Sequence, residues 1–218
     1  TLKVADIDDD GALVMDDYRA KLSSKTKLVS AIHVSNALGT VNPVEEMIRL
    51  AHDAGALVLL DGAQSAPHQP VDVQALDVDF FVFSGHKVYG PTGVGVLYGR
   101  ESLLDAMPPW EGGGDMIRTV TFEETTYAGL PSKFEAGTPN IAGAIGLGTA
   151  MEFLMDLGLA KVAEHEADLL RYATERLDSI DGLRRIGTAQ DRAGLVGFVL
   201  DWAHPHDVGT ILDHEGIA

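Results

Sequence analysis

The sequence predicts an α/β fold built around a mainly parallel sheet, and three observations indicate it. Residues 27–34 and 56–60 are short apolar runs rich in β-forming residues, as expected of strands that are covered on both faces. A helical pattern lies between them, which makes a βαβ unit with a right-handed crossover. Further apolar strands, at residues 80–83 and 93–98, extend the same pattern along the chain.

The helix between the first two strands is predicted from its ends and from one apolar face. Asn42 is expected to cap the helix, with Pro43 at its first position. Gly55 is expected to end it, because glycine readily adopts the left-handed conformation that follows many helices. The apolar residues that recur at helical spacing and form one face are Val44, Met47, Ile48 and Ala51.

Two further helices and a short mixed segment are expected in the second half of the chain. One helix is predicted over residues 141–158, and a longer amphipathic one runs from residue 159 to about residue 180. Strands are predicted at residues 183–186 and 195–200, and a last helix begins near His206. The stripe of the longer helix that is expected to face inward consists of Val162, Leu169, Leu170, Ala173 and Leu177.

This pattern divides the chain into three parts. Residues 1–158 are expected to belong to a large domain, residues 159–180 to a bridging helix, and residues 181–218 to the beginning of a small α+β domain. The chain lacks an initial methionine, and Gly216 followed by Ile217 and Ala218 is typical of a helix end and the start of a further strand. We therefore expect a fragment of a longer protein.

The composition limits the possible functions. Acidic residues number 33 against 16 basic ones, and such a surface repels the phosphates of nucleic acids. No apolar run approaches the roughly 18–20 residues that cross a membrane. The sequence shows no basic segment followed by an apolar one, which is the pattern of a secretory signal. A cytoplasmic protein without nucleic-acid or membrane partners is expected. The acidity also favours a halophilic source, with an ordinary acidic protein as the alternative.

Several other motifs are interpreted as structural. The chain contains no cysteine, which excludes disulfides, thiolate metal sites and a cysteine nucleophile within these residues. His204 and His206 are interpreted as a polar loop ending in a helix N-cap rather than as metal ligands, so no metal site is expected. Glycine-rich residues 90–95 lead into a strand, which does not match a dinucleotide-binding loop. His33 and His52 are interpreted as a strand-end and a helix-surface histidine.

Two functional groups follow apolar strands at what is expected to be one edge of the sheet. Asp61 stands directly after the run at residues 56–60, and Lys87 lies just beyond the strand at residues 80–83. In open α/β sheets, ligands bind at the carboxyl ends of the strands. A lysine in a turn is ordinarily only a solvated charge, but the aspartate after another strand of the same sheet favours a functional role.

This pair matches the chemistry of pyridoxal 5'-phosphate (PLP). A lysine amine holds the PLP aldehyde as an imine, and a carboxylate beside the pyridine nitrogen keeps that nitrogen protonated so that the ring accepts carbanion electrons. Lys87 fits the first role and Asp61 the second. Gln64 can hydrogen-bond the phenolate oxygen of the ring, and Ser84 and His86 can donate hydrogen bonds to the phosphate.

Five motifs resemble those of a known family in their order and spacing. They are HVSNALGTVNPV, LLDGAQSAPHQPVDV, DFFVFSGHKVYGPTGVGVLYG, EGGGDMI and FEAGTPN. The chain resembles the group II (SUF-system) cysteine desulfurases, within the aminotransferase class V family of fold-type I PLP enzymes. The resemblance spans nearly the whole chain. It implies the large domain of an aspartate aminotransferase-like PLP-dependent transferase, a three-layer αβα arrangement with a mainly parallel sheet.

The resemblance also implies a role for each site residue. Lys87 would be the Schiff-base lysine, Asp61 the pyridinium partner and Gln64 the phenolate contact. Ser84 and His86 would bind the phosphate.

Two more residues take roles from the same resemblance. Asn36 would lie beside the cofactor and the substrate carboxylate. Thr138, within FEAGTPN, would reach the phosphate of the neighbouring subunit. The active unit implied is therefore a homodimer.

The family's reaction removes sulfur from L-cysteine and gives L-alanine and a persulfide on an enzyme cysteine, whose sulfur passes to an acceptor protein for iron–sulfur cluster assembly. The resemblance places that cysteine soon after the segment corresponding to residues 216–218. It also places a ring-stacking histidine, a phosphate loop and a substrate-binding arginine outside these residues, so the isolated fragment is expected to be inactive. The alternatives are another class V enzyme, such as a selenocysteine lyase or an epimerase, and a non-catalytic module of the same fold.

Overall fold

The structure, a computed structural model, describes residues 1–217. Its helices are α1 (Met15–Lys21), α2 (Val44–Asp53), α3 (Glu101–Ala106), α4 (Ile141–Leu157), α5 (Leu159–Asp178) and α6 (Pro205–His214). Its strands are β1 (Leu28–Ile32), β2 (Leu57–Asp61), β3 (Phe80–Ser84), β4 (Gly95–Gly99), β5 (Ile117–Val120), β6 (Thr125–Tyr127), β7 (Leu183–Ile186) and β8 (Gly197–Leu200). Short 3₁₀-helices cover Gly85–Val88 and Ser132–Phe134.

The central feature is a four-stranded sheet in the order β1-β2-β3-β4. Strands β1, β2 and β3 are parallel, whereas β4 returns antiparallel to β3. The register pairs Ile32 with Asp61 and Asp61 with Val82, so the carboxyl ends of the three parallel strands meet at one edge. This confirms the predicted α/β class and its mainly parallel sheet. Two small antiparallel ladders, β5-β6 and β7-β8, lie outside this sheet.

One face of the sheet carries the core. The predicted apolar face of α2 is buried as expected, and it packs on Val58 and Leu60 of β2 and on Phe81 of β3. Both β2 residues are fully buried, and burying a side chain of this size stabilises the fold by about 1.5–3 kcal/mol. Helix α4 joins the same side of the sheet through Leu147, which packs in a second cluster that includes Phe83.

The other face of the sheet is more open. Because side chains alternate along a strand, Leu59 and Asp61 of β2 and Val82 of β3 belong to the face opposite Leu60. These residues are half-buried, and Leu97 of β4 is exposed. The Asp61 side chain is therefore directed away from the apolar core, on a face where a polar group retains access to partners.

The start of α2 differs from the expected cap. Asn42 does not cap the helix, because its side-chain amide donates to the carbonyl of Ile32 at 2.9 Å. Pro43 occupies the cap position and the helix begins at Val44. The end of α2 is as predicted, since Gly55 adopts a left-handed conformation with φ of 78°.

The later elements follow the predicted order with shifted bounds. Leu169 was expected to face inward on α5 but is 53% exposed, because nothing in the described residues covers that part of the helix. The strands predicted to begin at residues 93 and 195 begin at Gly95 and Gly197. Gly216, with φ of 77°, follows the end of α6 as expected. Ile217 has no regular structure, and Ala218, the other half of the predicted strand start, lies outside the described residues.

A buried carboxylate fixes the amino-terminal edge of the sheet. Asp79, whose side chain is only 5% exposed, accepts hydrogen bonds from the backbone N–H of Val58 at 2.7 Å and from His52 Nε2 at 2.9 Å. Its other oxygen forms an ion pair with Arg100 Nε at 3.0 Å. His52 is therefore part of this network and not merely a helix-surface histidine.

Among residues 1–217, no single helix is both long and apolar enough to span a membrane. Only α4 and α5 taken together reach that length and composition, and they bend by 73° where they join.

Candidate active site

The carboxyl ends of β1, β2 and β3 bring most of the predicted site residues to one edge of the sheet. Asp61 is the last residue of β2 and Ser84 the last of β3. Lys87 lies in the 3₁₀-helix Gly85–Val88 that follows β3 directly. Gln64 lies in the turn after β2. Asn36 lies exposed in the loop after β1, whose last residue pairs with Asp61.

The turn after β2 holds Asp61 in place. One carboxylate oxygen of Asp61 accepts the backbone N–H of Ala63 at 2.8 Å, and the N–H of Gly62 donates to the carbonyl of Val82 at 2.8 Å. A side chain at Gly62 is impossible without rearrangement, because a Cβ there would lie 1.9 Å from the ring of Phe81. Glycine after the aspartate is thus a steric requirement of the strand end.

The turn that carries Lys87 is anchored on both sides. Val88 is buried against Leu147 of α4. The N–H groups of Tyr89 and Gly90 both donate to the carbonyl of Gly85. Tyr89 adopts a left-handed conformation with φ of 63°, which costs free energy for a residue with a side chain and persists only where its surroundings impose it.

The amine of Lys87 is available for chemistry. Its side chain is half-buried, and within the described part of the chain it has no hydrogen-bond or ion-pair partner. A lysine held on an anchored turn without a carboxylate partner is not a salt-bridging residue. It is in the position expected of an amine that reacts with a ligand.

Ser84 and His86 act as a pair. The hydroxyl oxygen of Ser84 lies 2.7 Å from His86 Nδ1, a hydrogen-bond distance. The pair precedes Lys87 at the same strand end and so presents a hydroxyl and an imidazole beside the amine. Both groups are suitable donors to a phosphate.

Thr138 is the predicted site residue that lies apart from the others. It is exposed, in the loop that precedes α4. Asn140, which caps α4, donates from its side-chain amide to the carbonyl of Gly93 at 3.3 Å, so this loop runs beside the segment that follows the Lys87 turn. Within residues 1–217 Thr138 has no hydrogen bond to Lys87 or Asp61.

Sequence reasoning missed four residues that support the turn after β2. Gln69 donates from its amide nitrogen to His33 Nε2 at 3.2 Å, and His68 Nδ1 donates to Glu166 of α5 at 2.9 Å. Burial lowers the pKa of His33, because the imidazolium form is poorly solvated there. Only the position of His68 and Gln69, in the loop that follows Asp61, is a signal in the sequence. Their partners come from distant parts of the chain.

The donor set fits PLP. A free amine, a carboxylate at the end of the neighbouring parallel strand and a hydroxyl–imidazole pair are the groups that the aldehyde, the pyridine nitrogen and the phosphate require. No other cofactor is favoured by this set. Among the residues that the structure describes, no group of three or more histidine and carboxylate side chains forms a candidate metal site.

The class of protein is defined by this fold and by a match over the whole chain. The family model for aminotransferase class-V matches residues 1–218. The chain belongs to the class-V aminotransferase family.

The relatives with curated names are cysteine desulfurases. The chain is 55% identical over 217 residues to a cysteine desulfurase of Synechococcus elongatus, which it matches over 35% of that protein's length. It is 53% identical over 218 residues to a cysteine desulfurase of Escherichia coli, over 53% of that protein. The chain thus spans about a third to a half of the length of these relatives.

Solved structures agree with both the fold and the names. The apo structure of a cysteine desulfurase from Thermococcus onnurineus superposes with a TM-score of 0.94 at 41% identity, covering 100% of this chain and 55% of that one. The cysteine desulfurase CsdA of Escherichia coli superposes with a TM-score of 0.89 at 41% identity, covering 94% of this chain and 51% of that one. A mutant of C-DES, with glycine covalently linked to its PLP cofactor, superposes with a TM-score of 0.84 at 27% identity, covering 94% of this chain and 55% of that one.

Proposed function

We propose that the whole protein is a PLP-dependent cysteine desulfurase of the group II (SUF-system) type. It would convert L-cysteine to L-alanine and pass the sulfur, as a persulfide, to an acceptor protein for iron–sulfur cluster assembly. The observation that carries the proposal is the placement of Lys87, in the turn after β3, and of Asp61, at the end of the adjoining strand β2, at the same edge of the sheet. The desulfurase relatives, 52–55% identical along the whole chain, support the substrate.

The residues of this chain divide the work of the reaction. PLP, when bound, supplies a ring that stores the electrons of the substrate's Cα–H bond. Lys87 would hold the cofactor aldehyde through its amine, and the same amine, when free, would take the proton from the substrate Cα. Asp61 keeps the pyridine nitrogen protonated. Ser84 and His86 hold the phosphate by hydrogen bonds.

The cofactor and the substrate each need one further contact. Gln64 donates a hydrogen bond to the phenolate oxygen of the cofactor, and Asn36 binds beside the substrate carboxylate. The nucleophile that takes the sulfur is a thiol. Because the 218 residues contain no cysteine, this thiol belongs to another part of the protein.

The assembly and setting are part of the same proposal. The active unit is a homodimer, in which Thr138 of one subunit reaches the phosphate site of the other. The exposed apolar residues Ile141 and Ile145 of α4, close to Thr138, support a protein partner at this surface.

The proposal also includes a division into domains. Residues 1–158 belong to the PLP-binding domain, residues 159–180 form a bridging helix and residues 181–218 begin the small domain. The enzyme works in the cytoplasm, and its net charge of −17 suits a halophilic host.

The test is PLP binding and product formation by the purified protein. We expect a visible absorption band on addition of PLP and alanine production from L-cysteine, both lost in Lys87→Ala. Lys25→Ala, which removes an exposed lysine from a loop, is the matched control and keeps both. A wild-type protein that takes up no PLP contradicts the proposal and favours a non-catalytic module. Release of selenium from selenocysteine without activity on cysteine favours a selenocysteine lyase, and racemised substrate favours an epimerase.

A further inference from the structure

Glu166 of α5 contacts the turn that carries the cofactor residues. Its Oε1 accepts a hydrogen bond from His68 Nδ1 at 2.9 Å, although the two residues are 98 positions apart. The side chain of Glu166 is 25% exposed and that of His68 is 36% exposed, so the contact is partly shielded from water. Within residues 1–217 this is the one side-chain hydrogen bond between α5 and the sheet or its loops.

The turn between Asp61 and Gln69 transmits this contact to the site. Successive backbone hydrogen bonds run along it, with the N–H of Ser65 donating to Gly62 at 3.0 Å and the N–H of His68 donating to Ser65 at 3.1 Å. Ser65 is fully buried, which fixes the middle of the turn. A displacement of His68 therefore moves the segment that contains Gln64 and begins at Asp61.

Glu166 also lies near the segment that supports the Asn36 loop. A Cβ placed on Gly194 would lie 3.7 Å from Glu166 Cβ. Beside Gly194, the N–H of Ala193 donates to the carbonyl of Gly39 at 2.8 Å. Glu166 thus lies between the loop that follows β2 and the segment that is bonded to the loop after β1.

Helix α5 is only partly covered by the other described residues, and its apolar contacts include Leu159, which packs against the cluster of Val88, Leu147 and Leu154. The helix has no fully buried residue, and Leu169 and Tyr172 are exposed. The bond from His68 to Glu166 is a directed contact that joins this helix to the turn after β2.

We propose that Glu166 is a positioning residue, which acts through His68 to hold the turn of residues 61–69 in the geometry that binds the cofactor. The inference deepens the proposed function of the same site and rests on it. It assigns to α5 the task of aligning Gln64 and Asp61.

The first experiment titrates the purified protein with PLP and follows the visible absorbance. Glu166→Ala and His68→Ala are each expected to weaken PLP binding by about fivefold, the effect of one lost hydrogen bond. The double variant is expected to be no weaker than either single variant, because both remove the same contact. Glu166→Gln restores binding, since its amide oxygen still accepts from His68 Nδ1. Glu164→Ala, an exposed residue of the same helix, is the control.

The outcomes separate this inference from the proposed function. Variants that bind PLP as tightly as Glu164→Ala, in a protein that does bind PLP, overturn the positioning role and leave the function standing. Additive losses in the double variant also overturn it.

A second experiment needs no cofactor. Hydrogen–deuterium exchange of the apo protein is expected to speed up at the amides of His68 and Gln69 in Glu166→Ala but not in Glu164→Ala. Unchanged exchange at these amides contradicts the inference even if the protein takes up no PLP.

Discussion

The four-stranded sheet and the C-terminal segment, residues 159–217, differ in how deeply their side chains are buried among the described residues. In the sheet, Val58 and Leu60 are fully buried and Phe81 is nearly so. In the C-terminal segment neither α5 nor α6 has a buried residue, and β7 and β8 are at most half-buried. Among the described residues, the sheet is closely packed, whereas the helices and strands of the C-terminal segment are partly exposed and are also joined to the rest by polar contacts.

The polar contacts of the C-terminal segment are few and well defined. The N–H of Val41 donates to the carbonyl of Asp191 at 2.9 Å, and the N–H of Thr188 donates to the carbonyl of Asp10 at 2.8 Å. Two side-chain contacts add to these, from His68 to Glu166 and from the hydroxyl of Thr188 to the carboxylate of Asp10. Lys87 and Asp61, which need fixed positions, thus lie at the ends of packed strands, while the C-terminal segment contacts the loops around them.

The largest expected difference between the two regions comes from truncating their leucines. Leu60→Ala leaves a cavity in the core of the sheet and is expected to cost about 3 kcal/mol of unfolding free energy. Leu170→Ala, on a half-buried position of α5, is expected to cost about 1 kcal/mol, since less surface is lost from the folded state. Urea denaturation measures both. Equal losses in the two variants contradict the contrast in packing.

A smaller difference is expected between two carboxylates. Asp79→Asn removes the charge of a buried side chain that binds Val58, His52 and Arg100, and is expected to cost about 2 kcal/mol. Asp178→Asn is the matched variant in the C-terminal segment, where Asp178 pairs with Arg185 at the surface; its cost is expected to be below about 1 kcal/mol. The same denaturation assay compares them, and a larger loss in Asp178→Asn refutes the assignment of Asp79 as the buried anchor.

The third prediction concerns pH and is the smallest effect. Burial lowers the pKa of His33 from its ordinary value of 6.5, so the folded state favours the neutral imidazole. The stability that this contributes is present above pH 6.5 and is lost as the pH falls through the lower pKa of the folded state.

Thermal unfolding between pH 7.5 and pH 5, roughly the range over which a histidine titrates, measures this effect. The melting temperature of the wild type is expected to fall across this range more than that of His33→Asn. His214→Asn, at the exposed end of α6, controls for the loss of an imidazole. If the melting temperature of His33→Asn falls as steeply with pH as that of the wild type, the imidazole of His33 does not contribute this pH-dependent stability.

Local patterns in the sequence were enough to predict the parallel strands of the sheet and to place Asp61 and Lys87 at the ends of two of them. The apolar face of α2 was predicted correctly because helical spacing depends only on neighbouring residues. Asp61 and Lys87 were assigned to one edge because strand ends in a parallel sheet share a side. The antiparallel direction of β4 was not predictable, since the pattern of apolar residues along a strand does not show whether it runs parallel or antiparallel to β3.

Where prediction failed, a distant residue or an uncovered surface was responsible. Asn42 is a favourable cap residue, but its side-chain amide donates a hydrogen bond to the carbonyl of Ile32 instead. The spacing of Leu169 identifies a helix face without saying whether anything covers it. The bond from His68 to Glu166 joins residues 98 positions apart, and no local pattern indicates it. Short elements such as α1 and α3 were missed because each is too brief to show a clear period.

The central claim is that Lys87 holds PLP at the strand edge next to Asp61. Its most direct test is to treat the PLP-loaded protein with sodium borohydride, digest it and locate the pyridoxyl group by mass spectrometry. We predict a single modified peptide whose pyridoxyl group is on Lys87, absent from Lys87→Ala. A pyridoxyl group on any other lysine, or a modified protein in the absence of Lys87, would contradict the account.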